Sequence, residues 1–209
     1  MRCAPSVRNA VWARSCTWST PSRRRQRSSP TTGLGPLVRL GDLARSSFTY
    51  EPRGHTLDGP LPDGFHHLQV ERRLGSGDEV YAQAAEALMT YAPQRGIGLR
   101  PIATAPRAAV GVDLLSRLGV APVPCRVVWV VEESHRTGFG YGTLEGHVES
   151  GEEGFLIERR GDDVYAVVRA YSRPAWRVAR LAGPLLWVGQ QVAAQGYLRA
   201  LQRAARRRA

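Results

Sequence analysis

The residues of this 209-residue chain that could do chemistry are concentrated in one short stretch, residues 138–155, with the sequence GFGYGTLEGHVESGEEGF. It places the imidazole of His147 beside the carboxyl groups of Glu149, Glu152 and Glu153. Imidazole and carboxylate together can bind zinc, iron or manganese, and on a strand His147 and Glu149 would share a face. A third ligand would have to come from elsewhere, such as His66, His67 or His135.

The same residues allow two other interpretations. Glu149 and Glu153 could form a carboxyl pair that works as acid and base. Alternatively, His147 and the glutamates close a polar turn and hydrogen-bond backbone groups of a glycine-rich hairpin. We prefer the turn, since nothing in the sequence fixes the separation of the glutamates, and we therefore predict no metal and no cofactor.

Aromatic side chains on the predicted strands provide the second set of candidate contacts. Their surroundings are acidic, which argues against a platform for stacking nucleic acid bases. The hydroxyl groups of Tyr141 and Tyr165 could orient a ligand inside an apolar cavity. The predicted ligand-binding residues are Trp129, Tyr141, His147, Glu149, Glu153 and Tyr165.

The spacing of the glycine, serine and cysteine residues excludes several common kinds of binding and catalytic site. The glycines match neither the Walker nor the dinucleotide pattern, and alternation of Gly138, Gly140 and Gly142 instead predicts close backbone approach or a sharply bent strand. No Gly-x-Ser-x-Gly nucleophile elbow is present. The three cysteines have no disulfide or zinc spacing, so Cys125 is expected in the core of a cytoplasmic protein.

The order of elements follows from apolar periodicity and turn residues. Alternation over 65–74 predicts a strand, and Ser76 with Glu79 forms a capping box at the start of a helix. Pro93 and Gly96 end that helix. Six further strands are predicted over 97–104, 109–115, 125–132, 137–144, 153–160 and 164–171.

Two of these strands carry additional information. The segment from Cys125 to Glu132 is apolar on both faces, which predicts a central strand that is covered on both sides. The tight turn Gly161-Asp162-Asp163 predicts a hairpin between the last two strands. Closely spaced strands of this kind favour an antiparallel meander.

The C-terminal region predicts helices. Pro174 can open a helix, Gly183 and Pro184 interrupt it, and a longer helix continues to about Arg206. The apolar stripe of this region is expected to run through Leu181, Leu185, Val188 and Val192, and then to move to Ala194, Leu198, Leu201 and Ala205. Residues 181–198 carry no charge, but their glutamines, glycines and proline argue against a membrane span.

Charge divides the chain into three parts. The formal net charge is +11, and all 29 basic residues are arginine. Residues 1–45 carry +8 and residues 164–209 carry +9, while residues 46–163 between them carry −6. The folded part is therefore almost neutral, which weakens the case for a nucleic acid partner, and binding of a membrane surface by the basic ends stays an alternative.

The first segment, residues 1–47, lacks the apolar period of a packed element. It is interpreted as a disordered basic arm, as a targeting leader, or as a translation start assigned too far upstream. Residues 48–209 then form a single domain. The order of strand, helix, about six antiparallel strands and long helix predicts an α+β fold, a curved antiparallel sheet with a long C-terminal helix.

That order resembles the helix-grip fold of the START and birch-pollen-allergen-like proteins, in which a curved sheet wraps a C-terminal helix around an apolar cavity. The strings PCRVVWVVEE, FGYGTLEGHVESGEEGF and AYSRP resemble the uncharacterised family catalogued as domain of unknown function nineteen-ninety. The resemblance runs from FTY at 48–50 to YLRAL at 197–201. It implies a bacterial, especially actinobacterial, or plant relative, some plant members being associated with the chloroplast envelope.

Three functions remain open on the sequence alone. The first is a domain that binds an apolar or amphipathic small molecule between the sheet and the C-terminal helix. The second is an enzyme that acts on such a ligand through His147 and either Glu149 or Glu153. The third is a protein that binds a membrane surface or nucleic acid through its basic ends.

Overall fold

The computed structural model describes residues 38–175 and 183–206 of the chain, without the side chains of 183–187. A short 3-10 helix at Leu40–Arg45 comes first. The elements that follow are β1 (His66–Ser76), α1 (Asp78–Met89), α2 (Ala92–Gly96), β2 (Ile102–Ala103), β3 (Asp113–Leu118), β4 (Ala121–Glu132), β5 (Arg136–Thr143), β6 (Glu149–Arg160), β7 (Asp163–Pro174) and α3 (Gly183–Ala205).

The strands form one antiparallel sheet in the order β1-β7-β6-β5-β4-β3-β2. Consecutive strands from β2 to β7 pair with each other, and β1 pairs with β7 as the edge strand of the sheet. The hairpin predicted at Gly161 joins β6 to β7, and this glycine adopts a positive φ of 64°. The predicted meander and the α+β class are confirmed.

The two faces of the sheet have different coverings. The helices pack on one face, here called the helix face, where Phe139, Phe155 and Val168 are fully buried with Leu198 of α3. The opposite face, here called the outer face, carries a smaller apolar cluster of Trp129, Val131, Leu156 and Val167. This second cluster confirms that β4 is covered on both sides.

A bulge in β4 decides which of its side chains lie on which face. Val127 pairs with Tyr141, but Trp129 pairs with Gly140, so one residue is extra on β4. A bulge of this kind reverses the alternation of side chains along the strand. Cys125 and Val127 therefore face the helices, whereas Trp129 lies on the outer face.

Helix α3 contacts the sheet with one stripe of residues. The second half of the predicted stripe is confirmed: Ala194, Leu198, Leu201 and Ala205 are buried. The first half is wrong where it is described, since Val188 and Val192 are 53% and 66% exposed. Leu181 and the Leu185 side chain lie outside the described residues.

The connection between β1 and β2 differs from the prediction. The capping box is wrong, because Ser76 ends β1 and α1 begins at Asp78 after Gly77, whose φ is +89°. The chain turns at Gly77 with a positive φ, a conformation that glycine adopts readily, and no side chain caps the helix. A second helix, α2, follows α1 where the sequence predicted only a stop, and β2 is reduced to two residues.

The segment before residue 48 also differs from the prediction. Leu43 of the 3-10 helix is fully buried against Leu115 and Leu144. The Arg126 guanidinium donates to the carbonyl oxygens of Leu43 and Ser46 and pairs with Asp113 at 2.6 Å. Residues 38–47, assigned above to the arm, therefore pack on the sheet. The helix predicted to open at Pro174 lies outside the described residues, and Pro174 itself ends β7.

Candidate functional site

The glycine-rich segment forms β5, a turn and β6, and its glycines lie where another part of the chain needs room. A Cβ atom on Gly140 would collide with the Trp129 ring, and one on Gly142 would collide with the Tyr50 ring. A Cβ atom on Gly154 would meet Thr56 and Trp129 at 2.7 Å. Gly142 and Gly154 therefore make room for the segment of residues 50–56, and Gly140 makes room for Trp129 of the neighbouring strand β4. A Cβ atom on Gly138 would collide with the backbone of β6, so the predicted close backbone approach is confirmed at this position.

Glu152 fastens that segment to the outer face. Its carboxylate is 3% exposed and accepts hydrogen bonds from the backbone N–H groups of Gly54 and Thr56, at 2.7 and 3.0 Å. Two hydroxyl groups also donate to it, those of Tyr50 at 2.9 Å and Thr56 at 2.5 Å. Trp129 and Tyr171 lie nearby and donate to Thr56 Oγ1 and to the Pro52 carbonyl oxygen. Four donors around one buried carboxylate indicate a structural anchor.

Glu153, the next residue, points to the helix face. The Tyr141 hydroxyl donates to its Oε2 at 2.7 Å. Aromatic rings surround this pair, with centroids 5.5 Å apart for Tyr141 and Phe155 and 5.1 Å apart for Phe155 and Tyr197 of α3. Glu152 and Glu153 are adjacent in the sequence but lie on opposite faces of the sheet. Glu152 anchors the segment of residues 50–56, and Glu153 lies among aromatic rings.

The interior position changes the acidity of these groups. Burial raises the pKa of Glu153 to about 7, although the hydrogen bond from Tyr141 opposes this shift. Burial also raises the pKa values of Tyr141 and Tyr197 well above their usual range, with Glu153 adding to the effect. Near neutral pH, Glu153 therefore exists in both protonation states and can both donate and accept a hydrogen bond.

Glu149 lies at the start of β6, on the same face. The Ser172 hydroxyl is 3.4 Å from its Oε1 and 3.3 Å from Oε1 of Gln190 on α3. Burial raises the pKa of Glu149, and the negative charges of Glu153 and Glu149 add to the burial that raises the pKa of the Cys125 thiol. Tyr141, Glu149 and Glu153 keep part of their surface accessible, whereas the nearby Phe139, Phe155 and Leu198 are sealed.

His147 is part of the turn between β5 and β6. Its Nδ1 lies 2.9 Å from the Glu149 backbone nitrogen and 3.0 Å from the Glu149 carbonyl oxygen, so one ring nitrogen contacts both backbone groups of Glu149. Burial lowers the pKa of His147 to about 4, so the ring is neutral at neutral pH. His147 therefore contacts backbone groups at the turn, whereas Glu152 and Glu153 form their hydrogen bonds outside the turn.

The structure separates the six predicted contact residues. Tyr141, Glu149 and Glu153 lie on the helix face, and His147 lies at the adjoining turn. Trp129 and Tyr165 lie on the outer face, where Trp129 donates to Thr56 at 2.9 Å and Tyr165 packs beneath Arg160. A molecule held between the sheet and the helices would not touch these two.

Residues from other elements join the interior group without having been predicted for it. Tyr197 of α3 contributes an aromatic ring, and Ser172 and Gln190 contribute polar atoms. The hydroxyl of Tyr91 and both polar atoms of the Gln94 side chain are buried and have no hydrogen-bond partner among the described residues. Of these residues, only Tyr197 could have been found from the sequence, because it lies beside Leu198 and Leu201 of the apolar stripe of α3.

Metal chemistry finds no support in the parts of the chain that the structure describes. Within residues 38–175 and 183–206, no group of three or more His, Cys, Asp or Glu side chains is arranged to hold a metal ion. Two of the three histidines suggested as third ligands have other contacts, His67 with the Pro62 carbonyl at 2.8 Å and His135 with Glu133 at 3.5 Å. None of the described helices is long and apolar enough to cross a membrane.

Solved structures resemble this chain in fold at low sequence identity. A hypothetical protein from Helicobacter pylori superposes with a TM-score of 0.55 at 11% identity, covering 69% of this chain and 89% of that one. A truncated norcoclaurine synthase from Thalictrum flavum gives 0.50 at 10% identity, covering 73% of this chain and all of that one. The likeness shows the fold alone, and it confirms the helix-grip fold.

Proteins of similar sequence and a family model show which family the chain belongs to. A UPF0548 protein of Deinococcus radiodurans is 34% identical over 172 residues, which is 75% of this chain and 87% of that protein. A UPF0548 protein of Arabidopsis thaliana is 29% identical over 145 residues, which is 62% of this chain and 68% of that protein. The model of the family described as domain of unknown function (DUF1990) matches residues 49–200, well over half of the chain. The chain therefore belongs to the DUF1990 family.

Proposed function

We propose that this protein binds an apolar or amphipathic small molecule between the helix face of the sheet and α3, with the polar part of the molecule at Tyr141 and Glu153. The observation that carries the proposal is a carboxyl–hydroxyl pair, 2.7 Å apart, inside an interface that is otherwise aromatic and aliphatic. Binding sites for small molecules are mostly apolar, with a few polar groups that fix orientation.

Partial accessibility supports this location. Phe139 and Phe155 are fully buried, but Tyr141 and Glu153 on the same face retain accessible surface. The C-terminal half of α3 packs tightly, with Leu198 and Leu201 at 0% and 1% exposure. Any room for a ligand thus lies toward the N-terminal half of α3, where Gln190 faces Ser172.

Buried polar atoms without partners support a polar ligand group or bound water in the interior. The Tyr91 ring packs edge-on against Phe139, with 5.7 Å between centroids, and Phe139 neighbours Tyr141. Burial raises the pKa of Tyr91 to about 12, so its hydroxyl is a neutral donor at neutral pH. An unpaired buried polar group is destabilising by roughly 1–3 kcal/mol, and a ligand that hydrogen-bonds it recovers this energy.

The chemistry of the ligand follows from these groups. Aromatic walls favour a flat or aliphatic body, and the Tyr141–Glu153 pair can donate to a carbonyl or accept from a hydroxyl or amine. The helix-grip fold is typical of ligand-binding proteins. The proposal thus combines the fold with one polar position in this chain.

Native mass spectrometry of the full-length chain tests the proposal. We expect the purified protein, or the protein mixed with the neutral fluorescent amphiphile Nile red, to carry one small molecule per chain. Gln190→Trp should fill the space beside Ser172 and lower the bound fraction at least about tenfold, as expected for a blocked site. Val192→Trp, on the exposed side of the same helix, is the matched control and should bind normally.

Two outcomes would overturn the proposal. Either no molecule and no Nile red is retained by the folded protein, or Gln190→Trp and Val192→Trp retain them equally. Circular dichroism of both variants establishes that each is folded, so a loss of binding is not a loss of structure.

A second candidate function is acid–base catalysis on the bound molecule. It is favoured by the pKa of Glu153 near 7 together with the Tyr141 hydroxyl at 2.7 Å, because a group that titrates near the working pH transfers protons efficiently. Glu153→Gln would then leave ligand retention intact and abolish turnover of the retained molecule. Equal turnover by Glu153→Gln and the unaltered protein would refute catalysis by Glu153.

A further inference from the structure

The groove at the opposite edge of the sheet from β1 is separate from the interior site. It has a volume of about 450 Å³, within the range of small-molecule sites. The 3-10 helix, the segment after α2, β2 and β3 all contribute to it. Its lining residues are Val38, Arg39, Leu40, Gly98, Arg100, Ile102, Leu115, Ser116 and Arg117.

The charge of this groove is one-sided. None of the described residues that line it is acidic, and three are arginines. Among the described residues, Arg39, Arg100 and Arg117 are exposed and take part in no ion pair, unlike nearby Arg107 and Arg126, which pair with carboxylates. Uncompensated arginines around a concave surface attract an anion.

The segment that builds the groove is basic throughout, although the central part of the chain is acidic. Residues 87–131 contain five arginines and one acid, Asp113, which gives a net charge of +4. Asp113 is buried and forms an ion pair with Arg126 at 2.6 Å. Arg107 pairs with Glu86 and Glu132, which flank this segment, so its positive charge without an ion-pair partner among the described residues comes from Arg95, Arg100 and Arg117.

Apolar side chains line the groove beside the arginines. Leu115 and Ser116 are buried beneath it, and Ile102, which pairs with Leu115 across β2 and β3, is 63% exposed. An exposed isoleucine beside a hydrophobic floor leaves apolar surface in water, and a ligand with a hydrocarbon part would cover it. A purely ionic ligand such as phosphate would not.

We propose that this groove binds the anionic head and the adjoining hydrocarbon of an amphiphile, a phosphate or carboxylate on an alkyl chain. The guanidinium groups of Arg100 and Arg117 hold the head, and Ile102 and Leu115 contact the first carbons. Guanidinium groups suit such heads because they donate paired, charge-assisted hydrogen bonds. The proposal is independent of the interior site, since it uses none of that site's residues.

Calorimetric titration of the full-length chain with octyl phosphate, below its micelle concentration, tests the proposal. We expect saturable binding that weakens at higher salt, because exposed charges are screened. Arg100→Gln/Arg117→Gln should weaken binding about tenfold, as expected for two exposed charge pairs. Octanol and inorganic phosphate, which each lack one half of the chemistry, should bind more weakly than octyl phosphate.

Matched variants locate the binding. Arg199→Gln/Arg203→Gln removes two exposed arginines of α3 and should leave the affinity unchanged. Because the interior site is also proposed to take amphipathic molecules, the titration is repeated in Gln190→Trp, which blocks that site, and binding at the groove should remain. The proposal is overturned by absent binding, by equal affinity of the Arg100/Arg117 variant and the unaltered protein, or by loss of all octyl phosphate binding in Gln190→Trp.

Vesicles distinguish a free amphiphile from a membrane headgroup. The β3–β4 hairpin tip beside the groove exposes Leu118 and Val120, at 62% and 89%. If the natural source is a bilayer, Leu118→Ser/Val120→Ser loses binding to phosphatidylglycerol vesicles and keeps octyl phosphate binding. If the source is a free amphiphile, this variant and the unaltered protein bind vesicles equally, and the groove proposal stands in both cases.

Discussion

Replacing Glu152 by glutamine should destabilise the protein strongly, although the change removes only a charge. The carboxylate accepts from the backbone N–H of Gly54 through Oε2 and from that of Thr56 through Oε1. A glutamine side chain has one oxygen, so its amide group must face one of these two N–H groups. The hydroxyls of Tyr50 and Thr56 can rotate and accept a hydrogen bond, but a backbone N–H cannot.

The magnitude follows from that geometry. One buried N–H left without an acceptor costs about 1–3 kcal/mol, and the other bonds weaken as the acceptor loses its charge. We expect a loss of roughly 3 kcal/mol in the free energy of unfolding, which corresponds to a fall of about 6–12 °C in Tm for a chain of this size. Trypsin should also cleave faster after Arg53, because the 50–56 segment is released from the outer face.

Glu153→Gln is the matched control, one residue away on the other face. The glutamine oxygen can still accept from Tyr141, and the cost of burying a charge disappears, so Tm should change by no more than about 3 °C. Thermal unfolding followed by circular dichroism, with both variants at pH 7, measures the contrast. Equal Tm values for the two variants would refute the anchoring role of Glu152.

Three further predictions concern packing and pH. Gly140→Ala should lower the free energy of unfolding by about 1–3 kcal/mol, because its methyl group collides with Trp129. Gly189→Ala in α3, where nothing lies within 4 Å of the added atom, should instead raise it by about 0.5–1 kcal/mol, as urea unfolding of both variants will show. Glu153 has a pKa that folding raises from 4.5 to about 7, so the folded state binds its proton more tightly. The contribution of Glu153 to stability should therefore fall as pH rises from 4.5 to 7, so the Tm of Glu153→Gln relative to that of the unaltered protein should rise over this range. His147 has a pKa that folding lowers from 6.5 to about 4, so its contribution to stability has the opposite sign and should fall as pH decreases through that range. His147→Asn, which keeps an acceptor for the Glu149 N–H, should show less of this acid loss in urea midpoints at pH 4.5 and 6.5, and an unchanged loss would contradict the assignment to His147.

The sequence predicted the fold well where periodicity is local. Alternating residues defined the strands of the meander, and the alternation of Gly138, Gly140 and Gly142 predicted close backbone approach or a bent strand, of which close approach is observed at Gly138. The apolar stripe through Leu198 and Leu201 located the buried face of α3. Each of these patterns depends on neighbours in the chain, which the sequence shows directly.

The site residues were predicted less well, because membership of the site depends on which face of the sheet each side chain lies on. The bulge in β4 reverses the alternation after Val127, so Trp129 lies with the outer cluster and not in the interior. A single extra residue leaves no mark in a strand that is apolar on both faces. Likewise, the anchor between Glu152 and residues 50–56 joins positions about a hundred residues apart, which local patterns do not connect.

Fluorine NMR of the full-length protein labelled with 3-fluorotyrosine tests the central claim most directly, because the seven tyrosines lie on both faces of the sheet and at its edges. Resonances are assigned by Tyr→Phe variants, and Nile red is then titrated. The account predicts saturable shifts at Tyr141 and Tyr197, with Tyr165 and Tyr171 unchanged. Shifts confined to Tyr165 and Tyr171, or no saturable shift at Tyr141, would contradict binding between the sheet and α3.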